Sequence, residues 1–128
     1  MLNSFKALIV LVITASVMAC PFQIESQNLC VDIEWTNGPY DGKPSAFEAI
    51  IYDKDSGERV SPEELKVYVW MMMANGRQHG GPAISWSFDE DQVINGNAKF
   101  FMGHMKGYWQ VRFELNGDIA AIDVELKK

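Results

Sequence analysis

The stretch Tyr108-Trp109-Gln110-Val111-Arg112-Phe113-Glu114-Leu115-Asn116-Gly117-Asp118-Ile119-Ala120-Ala121-Ile122-Asp123-Val124 decides the fold of this chain. Its first half alternates strictly. Trp109, Val111, Phe113 and Leu115 fall on one side of an extended chain, and Gln110, Arg112 and Glu114 fall on the other. Strand side chains alternate with a period of two, so the pattern reads as a half-buried strand with its apolar side inward. Asn116-Gly117 supplies the two residues that tolerate positive φ in a tight hairpin turn. The chain then returns as a last strand, Ile119 to Leu126, with Ala120, Ile122, Val124 and Leu126 inward.

The same two-residue period recurs toward the N-terminus. Val31-Asp32-Ile33-Glu34-Trp35-Thr36 alternates, and the turn-rich Asn37–Pro44 follows it. Ala46 to Asp53 places Phe47, Ala49 and Ile51 inward and closes at Asp55-Ser56-Gly57. Ser61-Pro62-Glu63-Glu64 has helix-capping chemistry, but no amphipathic run follows, so it reads as loop. Leu65 to Met72 is the most apolar strand, which fits a central place in a sheet. Ile84 to Phe88 is a short fourth strand, and Asp89-Glu90-Asp91 is a solvated acidic stretch. Asn95-Gly96-Asn97 signals a turn before a strand at Ala98 to Met102. The fold expected is all-β: an immunoglobulin-like antiparallel β-sandwich of about seven short strands.

The N-terminus reads differently. Met1 to Lys6 is a short basic segment, Ala7 to Val17 is apolar but short for a bilayer span, and Val17-Met18-Ala19 offers a cleavage site. Residues 1–19 are thus read as a signal peptide, residues 20–29 as a tether and residues 30–128 as the folded domain. Val17-Met18-Ala19-Cys20 resembles a bacterial lipobox, which implies lipidation of Cys20 and a membrane anchor in the cell envelope. The alternative is a plain cut after Ala19 that leaves Cys20 free to pair with Cys30. Either use places the domain outside the cytoplasm, where disulfides persist. Removing Lys6 with the leader takes the net charge from -6 to -7. That acidity argues against nucleic acid and against an anionic membrane surface, and mildly favours a cation.

Two segments carry the remaining chemistry. Met71-Met72-Met73 with His79, and Met102-Gly103-His104-Met105, hold five of the seven Met and both His. Thioether and imidazole together suit soft Cu(I) where thiolates are scarce, whereas single Met residues are ordinary core fillers. Strand parity predicts that the segments meet. If the third strand ends at the top at Met72, the fourth starts there, reverses near Asn95-Gly96, and the next rises to His104 and Met105 in a second top loop. A further full strand at Gln92–Ile94 would separate them. The candidate copper ligands are His79, His104, Met105 and Met102, with one of Met72 or Met73.

Catalysis has little support. No Ser-His-Asp order, phosphate-binding Gly loop or His-Glu-x-x-His spacing is present, and Cys30 has no Cys-x-x-Cys partner. Two functions of different class remain. One is an exported copper-binding or copper-delivery domain. The other is a metal-free interaction module in which Tyr68, Trp70, Trp86 and the Met run dock a partner protein.

The run Lys66-Val67-Tyr68-Val69-Trp70-Met71 through a Gly/His loop to Pro82, and Phe100-Phe101-Met102 through Gly107-Tyr108-Trp109 to Leu115, resemble YtkA-like and FixH-like domains. The resemblance covers roughly Val31 to Leu126 and implies a small immunoglobulin-like domain outside the cytoplasmic membrane. Its FixH branch implies a role in supplying copper to a membrane acceptor such as a haem-copper oxidase of the cbb3 type. This chain differs in its cleavable start, in Met71-Met72-Met73 at the first loop and in His104-Met105-Lys106 at the second.

Overall fold

The structure is a computed structural model that describes residues 20–127; the signal-peptide reading of residues 1–19 lies outside them. Among the described residues nine strands follow in order: β1 (Phe22–Ile24), β2 (Leu29–Asn37), β3 (Ser45–Asp53), β4 (Lys66–Met73), β5 (Gln78–Gly80), β6 (Ser85–Phe88), β7 (Ile94–Ala98), β8 (Gly107–Leu115) and β9 (Asp118–Val124). Neighbouring strands all pair antiparallel. One sheet runs β9-β8-β4-β5 and the other β1-β2-β3-β7-β6. They form the two layers of an all-β sandwich, as the alternation predicts.

The β8–β9 hairpin has the register that its sequence dictates. Leu115 lies opposite Asp118, so Asn116 and Gly117 alone make the turn, with φ of 52° and 85°. Trp109, Val111, Phe113, Leu115, Ala120, Ile122 and Val124 are buried. They share one core with Val31, Phe47, Ile51 and Ile94 of the facing sheet. Full burial of each large apolar side chain contributes about 1.5–3 kcal/mol. Residues 20–127 hold both sheets and this core, so the chain from Cys20 onward is a self-contained folding unit.

The structure corrects three readings. The supposed tether at 20–29 is part of the five-stranded sheet. Phe22, Gln23 and Ile24 pair with Val31, Cys30 and Leu29, and Ile24 is 0% exposed. A second short strand, β5, folds back on β4 within the loop after Met73. These two additions raise the strand count above seven.

The third correction concerns Asn95-Gly96-Asn97, which is strand rather than turn. Gly96 lies beneath the Phe47 ring, where an added Cβ would come within 2.3 Å of Phe47 Cζ. Glycine here permits a close approach of ring to backbone. The reversal comes earlier, at Asp89–Val93, where Asp89 Oδ1 accepts the backbone N–H groups of Asp91 and Val93. The expected strand at Ala98–Met102 is accordingly mostly loop, with Phe100 fully buried as its anchor.

Moving the reversal does not change the parity. β6 descends, β7 rises, and the segment from Lys99 to Lys106 arrives at the same end as the β4–β5 connection.

Candidate functional site

The upper end of the sandwich collects the loops 38–44, 74–77 and 99–106 with the C-terminal residues 125–127. Backbone bonds tie them to one another. Gly42 N–H donates to Phe100 O at 2.7 Å, Ala74 N–H to Lys106 O at 2.8 Å, and Lys127 N–H to Pro39 O at 2.7 Å. Asp41 Oδ1 accepts the Met102 N–H at 3.1 Å, which pins the start of the Met/His loop. Asp41 carries no signal in the alternation, since its role depends on a contact 61 residues away.

The five methionines divide by strand parity. Met71 faces inward, is 0% exposed and belongs to the core. Met72 faces the outer side of the four-stranded sheet. There Arg112 Nη2 donates to its Sδ at 3.6 Å, and the same guanidinium stacks over Trp70 at 5.0 Å. A sulfur held against a cation on the outer face is removed from the other candidates. Met73 returns to the inner side and packs half-buried against the core, as do Met102 and Met105. Met105 N–H donates to Met102 O at 2.8 Å, so these two close a single turn.

Met73, His104 and Met105 line one open depression with Ala74, Asn75 and Lys106. The predicted meeting of the two segments therefore occurs, with Met73 rather than Met72 as the strand contribution. His79, the other histidine expected here, does not line this depression. It lies directly opposite Met71 on β5, on the row next to Met73, where diagonal neighbours come within about 7–8 Å. Its ring meets Trp109 edge-on with centroids 6.0 Å apart. His79 Nδ1 lies 2.7 Å from Gly80 O. That bond needs the proton on Nδ1, which leaves the Nε2 lone pair available for a ligand. Trp109 Nε1 is buried without a hydrogen-bond partner in the structure.

Among the described residues no three His, Cys, Asp or Glu side chains group to hold a metal ion. The donors that do gather in the depression are the thioethers of Met73 and Met105 and the imidazole of His104.

Cys20 and Cys30 are joined by a disulfide, with Cα atoms 5.4 Å apart. This is the second of the two fates open to Cys20, and a sulfur so bonded cannot also carry a lipid thioether.

Charge is distributed unevenly along the sandwich. The upper loops carry Lys43, Arg77, Lys99, Lys106 and Lys127 against Asp41 and Glu125. The lower turns carry Asp53, Asp55, Glu58, Asp89, Glu90 and Asp91 against Lys54 and Arg59. The net acidity of the chain therefore does not describe its upper end.

The patch imagined for a docking module is divided. Tyr68 and Trp70 stack edge-on, and are bonded to Glu114 Oε1 at 2.7 Å and Gln78 Oε1 at 2.9 Å respectively. Trp86 instead packs against the core from the other sheet. The sequence matches no family model, and no curated protein matches it.

Proposed function

We propose that this chain is an exported, copper-binding β-sandwich that holds Cu(I) at its upper end through Met73, His104 and Met105, with His79 and Met102 as the adjoining donors. The observation that carries this reading is the shared depression lined by Met73, His104 and Met105. Cu(I) is monovalent and soft, so neutral sulfur and nitrogen satisfy it without the carboxylates that Ca²⁺ or Mg²⁺ demand. The resemblance to YtkA-like and FixH-like domains points the same way and names the use: delivery of copper to a membrane acceptor such as a respiratory oxidase. The disulfide supports an oxidising compartment. Copper bound here would bring affinity for a soft-ligand acceptor. The chain's own part is to hold the donors on two loops that β4 and β8 bring together.

The test is competition for Cu(I) against a chromogenic chelator under anaerobic conditions, using the chain from Cys20 with its disulfide formed. One-to-one binding is expected, and His104→Ala with Met105→Leu should lower affinity at least about tenfold, or about 1.4 kcal/mol. Met72→Leu should leave it unchanged. Absence of competition by the unaltered chain would sink the copper reading.

A further inference from the structure

The segment Lys99-Phe100-Phe101-Met102-Gly103-His104-Met105-Lys106 is an apolar loop closed at both ends by lysine, and it forms much of the upper end. Phe100 points into the core, but Phe101 is 46% exposed. Tyr108, just beyond the loop, is 44% exposed. These are two of the three exposed large hydrophobic side chains among the described residues. The loops of the same end carry Lys43, Arg77, Lys99, Lys106 and Lys127, all exposed, with Lys43 Nζ 4.6 Å from the centre of the Tyr40 ring. Of the two carboxylates at this end, Asp41 is engaged with the Met102 N–H. The turns at the opposite end carry more carboxylates than cations, so the two ends of the sandwich differ in the sign of their charge.

We infer that the upper end docks on an anionic phospholipid surface, with Phe101 and Tyr108 entering the headgroup region and the surrounding lysines meeting the phosphates. Charge complementarity is the first argument. The local excess of cations attracts an anionic leaflet, and the acidic far end is repelled from it, which orients the domain. Residue type is the second. Four of the five cations are lysine, which is depleted from protein–protein interface cores. Lysines sharing a surface with exposed aromatic side chains are instead common at membrane interfaces, where the ammonium stays in water. Docking of this kind needs no lipid on Cys20, and it would hold the Met/His depression at the membrane surface. The inference does not rest on copper binding, and its test uses the metal-free protein.

The chain from Cys20 is mixed with vesicles of phosphatidylcholine alone, or of phosphatidylcholine and phosphatidylglycerol in equal parts, and sedimented. It should pellet with the mixed vesicles, stay in solution with the neutral ones, and be released as salt is raised. Each lysine near an anionic surface contributes about fivefold in partitioning. Lys43→Glu with Lys99→Glu and Lys106→Glu should therefore weaken partitioning by about a hundredfold or more. Arg77→Glu with Lys127→Glu should weaken it independently, which guards against misfolding of the first variant. Lys54→Glu with Arg59→Glu, at the acidic end, should leave binding unchanged. Vesicles that fail to bring the protein down overturn the proposal, as does pelleting that survives both upper-end charge reversals. Retention on immobilised polyglutamate without vesicle binding would assign this end to an acidic protein and overturn it too.

Discussion

A methyl group added at Gly96 would lie 2.3 Å from Phe47 Cζ, in the middle of a core where Phe47 is itself 1% exposed. Neither strand can retreat without breaking the β3–β7 register, so Gly96→Ala should cost about 1–3 kcal/mol in chemical denaturation. An unchanged midpoint would show that the ring has room to move. His104 is exposed, and His104→Ala should shift stability by no more than about 0.5 kcal/mol. Any loss of metal in that variant is then loss of a ligand rather than of the fold. At this scale the sequence was most legible where a side chain's fate follows from its own strand. Trp109, Val111 and Phe113 read correctly from alternation alone. Asn95-Gly96-Asn97 misled because the demand on Gly96 comes from Phe47, a residue of another strand. Choosing between Met72 and Met73 likewise needed the position of Arg112 across the sheet.

Between strands, the turns of the acidic end are held by carboxylates that act as acceptors. Hydrogen bonds from the Val93, Asn95 and Asp91 groups hold the Asp89 carboxyl below its ordinary pKa, the Val93 backbone contributing most. Backbone bonds from Ser56 and then Asp55 do the same for Asp53, and bonds from Ser26 do so for Asp118. In each the folded state favours the ionised form. Their stabilisation is thus complete above the unfolded carboxylate range, about pH 4, and is lost as pH falls through the lower folded values. Thermal melts should show Tm falling as the pH drops below about 4, less steeply in Asp89→Asn. Burial, and then the neighbouring Glu114, raises the Tyr68 pKa. Its contribution is present below about pH 10 and disappears as pH rises through the raised value. The disulfide closes a short loop with a sequence separation of 10. Replacing Cys20 and Cys30 with Ser should cost about 3 kcal/mol by chain entropy, and reagents for free thiols should find none in the unaltered chain. The strands that escaped sequence reading, β1 and β5, are three residues each. A run that short offers no alternation to count, and it exists only because a longer neighbour supplies its hydrogen bonds.

For the whole molecule, what matters is that one end gathers both the soft donors and the cations. Parity placed the two Met/His segments together from the sequence, because it depends on how many times the chain reverses and not on where. Net charge was a poor guide for the complementary reason: it sums over both ends, and only the fold separates Lys99 and Lys106 from Asp89 and Asp91. The two proposals for this end are separable by mutation. Charge reversals at Lys43, Lys99 and Lys127, none of which lines the depression, should weaken vesicle binding about a hundredfold and leave Cu(I) affinity within about threefold, since exposed cations act on a bound ion only through solvent-screened fields. The central claim is that Met and His side chains hold copper, and X-ray absorption at the copper K-edge of the loaded protein tests it most directly. Sulfur and imidazole scatterers are expected around the metal, with the sulfur signal falling when Met73→Leu and Met105→Leu are combined. A shell of oxygen and nitrogen alone, unchanged in that double variant, would contradict the account.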